Sequence, residues 1–247
     1  YLNLSGPGVG GGTGWGNILK PDYGLTTSTT VFDAVHGNVT TRTNYGANPE
    51  LGLVQSVKED DGGLNLTTSY TYEAPGTGAF FRQLSKTLPG GNTTNYTYYS
   101  ATETRDNPCT ETVDAARQGG QMKLKTEPDP DGAGSQTARV TETVYNGAGD
   151  PVATRLNNDA WTCTTYDTRG RILTTFIPSY NGQVNRTITN VWAIGNNPLK
   201  TSSSDNQGTI TVETDLLGRT TKYTDSSGNI TNTVYDNAGR VTSRTGP

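Results

Sequence analysis

The amino-acid sequence predicts an all-β protein built from stacked β-hairpins. The first observation behind this prediction is composition: 44 threonines and 13 tyrosines supply β-branched and aromatic residues, which suit the pleated, half-buried surface of a strand. The second is charge, because 23 acidic and 19 basic side chains give a net charge of −4, too balanced for a disordered chain. The third is a short motif that recurs along the chain.

The recurring motif consists of an aromatic residue, an aspartate or asparagine, two further residues, a glycine and often an arginine. Its best copies are Tyr166-Asp167-Thr168-Arg169-Gly170-Arg171 and Tyr235-Asp236-Asn237-Ala238-Gly239-Arg240. The anchor positions of the repeats are Phe32, Tyr72, Tyr98, Tyr145, Tyr166, Trp192, Thr214 and Tyr235. They are separated by one or two units of about 20–26 residues, which is typical of a supersecondary unit that must stack on its neighbours to bury a face.

Each part of a unit follows from the motif in chain order. The residue before every aromatic anchor is valine or threonine, and adjacent strand residues point to opposite faces, so we expect the two rows to line opposite sides of one sheet. The aspartate starts a turn, because its short side chain can accept a bond from the backbone two residues on. The glycine then adopts positive φ at the end of a type I turn, as at Gly170, Gly218 and Gly239.

A second β-branched run, such as 172–176, completes the β-hairpin. When such hairpins stack, we expect the aromatic anchors to form a ladder in which each ring packs on the next, with about 0.5–1.5 kcal/mol beyond simple burial. Ordinary hairpins of a β-sandwich, whose turn signals also recur every 8–12 residues or so, are the alternative.

The copies at Tyr166, Asp215 and Tyr235 resemble the YD repeats of the rearrangement-hotspot (RHS) family. Relatives in that family include bacterial polymorphic toxins, components of insecticidal toxin complexes and the teneurins. The resemblance implies a β-sheet ribbon that spirals into a hollow shell or barrel, with tyrosines stacked between turns. In the toxin relatives the shell encloses a C-terminal effector, and in teneurins it supports adhesion domains. A partial spiral, an excerpt of a larger shell and a subunit that assembles with its own copies all remain open.

Repeat quality divides the chain into three segments. Residues 1–26 are glycine-rich, show no repeat and are interpreted as a linker, a plug or an assembly segment. Residues 27–139 carry degenerate repeats, and residues 140–247 carry well-formed ones. Because the last unit runs to within a few residues of Pro247, we expect the ribbon to continue, either in a longer chain or through copies docked end to end.

No catalytic or cofactor-binding motif lies in the secondary structure that its chemistry requires. His36 is the only histidine and falls in a predicted hairpin turn, where a base for a nucleophile is not expected. The spacing Gly6-x-Gly8-x-x-Gly11 matches a dinucleotide fingerprint, but no strand precedes it and no helix pattern follows. We therefore expect no enzyme activity, no cofactor and no metal site.

Cys109 and Cys163 are too few and too far apart in sequence for a zinc site. A disulfide between strands of neighbouring turns fits an extracellular chain of this composition, whereas two free thiols buried in the sheet are the alternative. The spacing alone does not decide between them.

The sequence as a whole predicts an extracellular or cell-surface structural protein whose partners are copies of itself or further repeats of a longer chain. The alternatives are an adhesion or carbohydrate-binding module, with Trp15 as the exposed ring for a glycan, and a shell fragment around a C-terminal effector. A pI near 5.0 without a basic cluster argues against nucleic-acid binding, and no apolar run approaches the roughly 18 residues of a membrane span.

Overall fold

The computed structural model describes residues 25–32, 37–46, 49–74, 80–132 and 134–247. In these residues the chain is almost entirely strand and turn, with two single-turn 3₁₀ segments at Pro49–Leu51 and Ile194–Asn196. The prediction of an all-β protein is therefore confirmed. The chain forms two compact units, Tyr1–Thr94 and Asn95–Pro247, which are taken in turn. The subdivision at 139/140 rests on repeat quality, which the boundary between compact units does not test.

The first unit is an antiparallel meander in which each strand pairs with the next. Its strands are β1 (Ser28–Val31), β2 (Val39–Asn44), β3 (Ser56–Glu59), β4 (Leu66–Tyr72) and β5 (Gln83–Thr87), and the unit boundary falls within β6 (Thr93–Tyr98). Threonine hydroxyls pair across the strands, as in Thr30 with Thr40 at 3.0 Å and Thr71 with Ser85 at 2.7 Å. Such cross-strand pairs use threonine both for its β-branched shape and for its hydroxyl.

The second unit continues the same antiparallel pattern. Its strands after β6 are β7 (Thr104–Arg105), β8 (Ala116–Arg117), β9 (Met122–Thr126), β10 (Val140–Tyr145), β11 (Pro151–Leu156), β12 (Thr162–Tyr166), β13 (Ile172–Ile177), β14 (Arg186–Trp192), β15 (Lys200–Asp205), β16 (Gly208–Thr214), β17 (Thr220–Thr224), β18 (Ile230–Tyr235) and β19 (Val241–Thr245). Among the described residues, strands β7 and β8 pair only with each other, and β6 pairs directly with β9. Residues 100–120, which include β7 and β8, are therefore an insertion into one hairpin.

The hairpin turns have the geometry that the motif predicts. In the turn after β12 the amide of Gly170 donates to the carbonyl of Asp167 at 3.0 Å, and the amide of Asp167 donates to the carbonyl of Arg171 at 2.9 Å. Gly170 has a φ of 74°, a conformation that costs other L-residues energy. A register shift falls immediately before the anchor in six hairpins, at Tyr72, Tyr98, Tyr145, Tyr166, Thr214 and Tyr235. This is the bulge expected when a type I turn closes a hairpin.

Buried side chains are few among the described residues, and most of them lie at one place. Val144, Val152 and Ala153 form a small core at β10 and β11, and Cys109, Trp161 and Tyr166 pack against it. Elsewhere most positions on the strands are half-buried or exposed. The folded state therefore depends on backbone pairing and on the contacts between hairpins more than on one large apolar core.

Candidate functional site: the anchor contacts and the insertion

Each aromatic anchor in the well-formed repeats reaches back to the hairpin before it. The hydroxyl of Tyr166, at the end of β12, donates a hydrogen bond of 2.9 Å to the carbonyl of Pro151, the first residue of β11. Pro151 stands two residues after Gly149, the glycine of the preceding turn. We call this bond, from a ring donor to the carbonyl two residues after the preceding turn glycine, the anchor contact.

The anchor contact recurs in both units with the same geometry. It is made by Tyr72 to Val54 at 2.9 Å, Tyr145 to Met122 at 3.0 Å, Tyr166 to Pro151 at 2.9 Å, Trp192 to Ile172 at 2.9 Å and Tyr235 to Thr220 at 3.0 Å. Burial raises the pKa of the phenols of Tyr72, Tyr145 and Tyr166, so these hydroxyls stay protonated and remain donors. The contact gives a backbone carbonyl beside each turn a partner.

The aspartate and arginine of the motif hold the turn itself. In Asp167, Oδ1 accepts from the amides of Arg169 at 2.8 Å and Arg171 at 3.0 Å, and Oδ2 accepts from Nε of Arg171 at 2.7 Å. Backbone and side-chain hydrogen bonds from Arg171 lower the pKa of Asp167. The same clamp joins Asp215 to Arg219 at 2.6 Å and Asp236 to Arg240 at 2.8 Å.

The same arginines also cover the ring of the next anchor. The guanidinium carbon of Arg171 lies 5.2 Å from the ring centroid of Trp192, and that of Arg219 lies 4.5 Å from the centroid of Tyr235. A guanidinium within about 6 Å of an aromatic face is attracted to it. The arginine therefore holds its own turn and the following anchor together, which the predicted ladder of rings packed on rings did not include.

Two faces of the sheet differ as the sequence predicts. From Tyr72 onward the anchors are half-buried, while the β-branched residues just before them are exposed at Thr71, Thr97, Thr165, Val191 and Val234. Val144 is the exception, with no exposed surface. Val144 pairs with Ala153, and Ala153 pairs with Cys163, so these three residues form a row across the strands. The insertion packs on this row.

The insertion is fixed to the sheet by a fully buried amide. Gln118 has no exposed surface, and its Nε2 donates to the carbonyl of Tyr145 at 2.9 Å while its Oε1 accepts from the amide of Tyr145 at 2.9 Å. The Gln118 side chain thus makes the two hydrogen bonds to the backbone of Tyr145, at the end of β10, that a neighbouring strand would otherwise make. Tyr99 is also fully buried, and its hydroxyl donates to the carbonyl of Thr143 at 2.8 Å. Burial raises the pKa of Tyr99 to about 12.

A disulfide and an ion-paired carboxylate complete this attachment. Cys109 of the insertion is bonded to Cys163 of β12, with 5.7 Å between their Cα atoms. The carboxylate of Glu142, which is 9% exposed, accepts from Arg105 of the insertion at 3.1 Å and from Nε of Arg155 at 2.8 Å. The insertion therefore packs on the small core and is held there by a disulfide and by the ion pairs of Glu142.

The predicted anchors also include Phe32, Tyr98 and Thr214. Phe32 is 80% exposed, and its ring carries no hydrogen-bond donor. Tyr45, which is not among the predicted anchors, donates to the carbonyl of Thr26 at 3.1 Å, and Thr26 follows Gly24 by two residues in sequence. Tyr98 ends β6, and Thr214 lies 3.5 Å from the carbonyl of Leu199 through its hydroxyl. Tyr45 could have been found from Gly24, which stands two residues before the carbonyl that it contacts. The residue before its ring, Asn44, does not mark it as an anchor.

Other candidates fall outside the described residues, namely Trp15, His36 and the glycine spacing at residues 6–11. Among the described residues, no group of three or more His, Cys, Asp or Glu side chains could hold a metal ion. Within the same part of the chain, none of the helical segments has the length and apolarity to cross a membrane.

No protein-family model matches this chain, and no curated protein does. Among solved structures, the chain is similar to the crystal structure of TcdB2-TccC3-Cdc42 at 12% identity and a TM-score of 0.40, over 88% of this chain and 13% of that chain. It is similar to TcdB2-TccC3-TEV at 11% identity and a TM-score of 0.37, over 90% and 15% of the two chains. This chain thus spans about a seventh of the length of those chains.

Proposed function

We propose that this chain is a non-enzymatic, extracellular structural protein, a segment of YD-repeat β-ribbon whose hairpins form the wall of a shell, a tube or a self-assembling fibre. The observation that carries the proposal is the anchor contact, which ties one hairpin to the hairpin before it at the same place in five of the repeats. A catalytic site brings different residues together once, whereas this arrangement repeats the same residues along the chain.

The anchor contacts and the arginine clamps give the proposed wall its rigidity. At the five anchor contacts the hairpin is linked to its predecessor by backbone pairing and by the donor of one ring, and at Trp192 and Tyr235 a guanidinium also stacks on that ring. Stability in such an array is the sum of terms within units and terms between nearest neighbours. Such a wall can be lengthened by further repeats, because each repeat contacts only its neighbours and no central core has to change.

The disulfide supports the proposed extracellular location. Disulfides persist in oxidising compartments and are rare in the reducing cytosol. The Cys109–Cys163 bond holds the insertion over the small core, where a reduced pair would leave only the non-covalent attachment. Assembly in an oxidising environment is therefore part of the proposal.

The proposed partners are further repeats of a longer chain or other copies of this one. Strand β19 is exposed at all five of its positions and, within the described residues, pairs with β18 alone. An open strand edge presents unpaired backbone donors and acceptors that another strand can use. Docking of a further hairpin on β19 would extend the wall by the same pairing that builds it.

Sedimentation and electron microscopy test the docking form of this proposal. We expect the chain to form concentration-dependent oligomers, and we expect the edge variant Ser243→Lys/Thr245→Lys to weaken them, because charge on an edge strand opposes pairing. The matched control is Ser226→Lys/Ser227→Lys, which places the same charges in an exposed turn. A chain that sediments as a monomer at every concentration would contradict end-to-end docking, and covalent continuation would then be the form to test in the parent polypeptide.

A further inference from the structure

In two repeats of the second unit, a turn arginine supplies a cation to the ring of the next anchor. The guanidinium carbon of Arg171 lies 5.2 Å from the ring centroid of Trp192, and that of Arg219 lies 4.5 Å from the centroid of Tyr235. Both arginines come directly after the turn glycine and one residue before the carbonyl that accepts the anchor contact. The position after the turn glycine is therefore where these repeats place a cation against an aromatic face.

The repeat of Tyr72 has leucine at that position. The anchor contact of Tyr72 is made to the carbonyl of Val54. The turn glycine two residues earlier is Gly52, with a φ of 65°, and Leu53 follows it. Within the described residues no cationic side chain lies over the ring of Tyr72. Leucine is shorter than arginine and carries no charge, so this ring lacks the cation that Trp192 and Tyr235 have.

A cleft of about 300 Å³ lies beside Leu53 and Tyr72, in the first compact unit. Four half-buried aromatic residues line it, namely Tyr45, Tyr70, Tyr72 and Phe81. The hydroxyls of Tyr45 and Tyr72 are used in their bonds to preceding carbonyls, so these residues offer their rings to the cleft. An aromatic wall with a few placed polar groups is typical of a small-molecule site.

Strand pairing holds the rings of the cleft together. The amide of Gln55 donates to the carbonyl of Asn44 at 2.8 Å, next to Tyr45, and the amide of Tyr70 donates to the carbonyl of Gln55 at 2.9 Å. Tyr72 follows Tyr70 by two residues and so shares its face. Tyr45 follows β2 and Tyr72 ends β4, so their backbones are two strand spacings, or about 9–10 Å, apart. The gap between two successive anchors is the space that the arginine enters in the other repeats.

The polar groups of the cleft favour a cation that needs no hydrogen-bond acceptor. The carboxylate of Glu73 lines the cleft, but it already accepts from Nε of Arg82 at 3.0 Å and from the amide of Phe80 at 3.0 Å, and it is ion-paired with the Arg82 guanidinium. A primary ammonium or a guanidinium brings three to five N–H donors that this carboxylate is not available to satisfy. A quaternary ammonium has no N–H, and aromatic faces are the groups that recognise it.

Two neutral groups of the lining remain for the rest of a ligand. Among the described residues, the hydroxyl of Tyr70 and the side-chain amide of Gln55 have no hydrogen-bond partner. The Gln55 amide lies over Gly46, where an added Cβ would come within 2.1 Å of Cδ, so it is held close to the backbone. Both groups can donate to an oxygen atom next to the cation.

We propose that this cleft binds the trimethylammonium group of choline, at the place where other repeats put their own arginine. The rings of Tyr45, Tyr70, Tyr72 and Phe81 hold the cation, and Tyr70 and Gln55 hydrogen-bond to the choline oxygen. The same chemistry is offered by free choline and by the headgroup of phosphatidylcholine. This function goes beyond the structural role and does not depend on assembly, because all the lining residues lie in one unit.

Titration of choline and its analogues into the full chain, by calorimetry and saturation-transfer difference NMR, tests the proposal. Choline and tetramethylammonium should bind. Ethanolamine should bind about tenfold more weakly, because its ammonium keeps its N–H donors, and so should the uncharged isostere of choline with a tert-butyl group for the trimethylammonium. Sedimentation with phosphatidylcholine vesicles distinguishes the sources. Co-sedimentation assigns the lipid headgroup as ligand, and a chain that binds choline but stays in the supernatant assigns the free molecule.

Leu53→Arg is the most specific variant, because it supplies the arginine of the other repeats. The new guanidinium should occupy the cleft and weaken choline binding about tenfold, while the melting temperature is retained. Leu216→Arg is the matched control, since Leu216 is 91% exposed in a turn of the second unit, and it should leave affinity unchanged.

Tyr70→Leu keeps the test decisive if Leu53→Arg does not fold. It removes one ring from the cleft without touching an anchor contact and should weaken choline binding about threefold. Tyr223→Leu makes the same change at a 36% exposed position of the second unit and should have no effect on binding. Thermal melts of all four variants separate loss of the site from loss of the fold.

Three results would each overturn the proposal. The first is that neither choline nor tetramethylammonium binds, and the second is that the uncharged isostere binds as tightly as choline. The third is that the cleft variants melt like the parent and also bind choline as the parent does. Sedimentation of the chain with and without choline keeps these outcomes apart from the proposed assembly, which predicts oligomers in either case.

Discussion

The tyrosine of each repeat combines two properties at one position, a ring that covers the preceding turn and a donor at the far end of that ring. In the second unit the Tyr235 hydroxyl reaches the carbonyl of Thr220 at 3.0 Å, with the Arg219 guanidinium over the ring. Tryptophan satisfies the same two requirements at position 192 through its Nε1. The choice between aromatic residues at an anchor is therefore decided by the donor as well as by the ring.

Tyr235→Phe should destabilise the protein by about 1 kcal/mol, because it removes the donor and leaves the ring and its arginine in place. Tyr223→Phe is the matched control, since among the described residues the Tyr223 hydroxyl has no hydrogen-bond partner and its side chain is 36% exposed. Urea unfolding monitored by circular dichroism measures both. Equal unfolding midpoints for the two variants would show that the anchor donor contributes nothing.

Acid should weaken the turns, because several carboxylates have pKa values below their ordinary ones in the folded protein. The Arg82 side chain lowers the pKa of Glu73 to about 2, and hydrogen bonds from Arg171 and Arg240 lower those of Asp167 and Asp236. A lowered folded pKa gives stability that is present above the unfolded value and is lost as pH falls through the folded one.

The urea midpoint should therefore fall progressively from about pH 5 to about pH 2. Glu73→Gln should lower the midpoint at pH 7 and reduce the loss on acidification, because glutamine cannot form the ion pair at any pH. Glu111→Gln is the control, since Glu111 is exposed and should not change the profile. A profile that is flat from pH 5 to pH 2 would contradict the role assigned to these carboxylates.

At the scale of the hairpin, the turn glycine and the insertion stabilise the fold. Gly170 adopts a φ of 74°, and an added Cβ there would meet no atom closer than 4.0 Å, so a substitution tests backbone strain and not crowding. Gly170→Ala should cost about 1–2 kcal/mol. Gly147→Ala is the control, because a Cβ there meets nothing within 4 Å and its φ is ordinary. Differential scanning calorimetry should show a lower Tm for the first variant only.

The disulfide-tied insertion should contribute more than any single hydrogen bond. The Cys109–Cys163 bond closes a sequence separation of 54 residues, for which the chain-entropy model gives about 4 kcal/mol. Cys109→Ser/Cys163→Ser should therefore lower the free energy of unfolding by about 2–4 kcal/mol while retaining the circular dichroism of a β-protein. A double variant as stable as the parent would mean that Gln118 and Glu142 alone hold the insertion in place.

Sequence patterns predicted the hairpins well because each turn is encoded within six consecutive residues. The anchors at Tyr72, Tyr145, Tyr166, Trp192 and Tyr235 could be found from a ring and a nearby turn. Tyr45 could not be found in that way, because Asn44 precedes it and the expected β-branched residue is missing.

The insertion depends on contacts that no local pattern encodes. Gln118 contacts Tyr145, 27 residues away, and the sequence alone gave no reason to single it out. The cysteine spacing was compatible with a disulfide and with two free thiols, since pairing depends on which strands become neighbours.

At the scale of the whole molecule, each compact unit is an array of hairpins in which aromatic donors bond hairpins to the ones before them. The six donors to preceding carbonyls, from Tyr45 to Tyr235, are the specific links. In such an array a defect at one link should affect its immediate neighbours and leave distant units unchanged. A single cooperative core would instead spread the effect of any substitution over the whole unit.

Native-state hydrogen exchange by NMR on Tyr166→Phe tests this claim most directly. Loss of the bond to Pro151 should speed exchange about fivefold, equivalent to about 1 kcal/mol, at the amides of Asn146 and Gly149 in the preceding turn. Exchange in the turn at Asp236 and Gly239 should not change. If exchange accelerates equally at both turns, or at neither, the hairpins are not held in sequence by their aromatic residues.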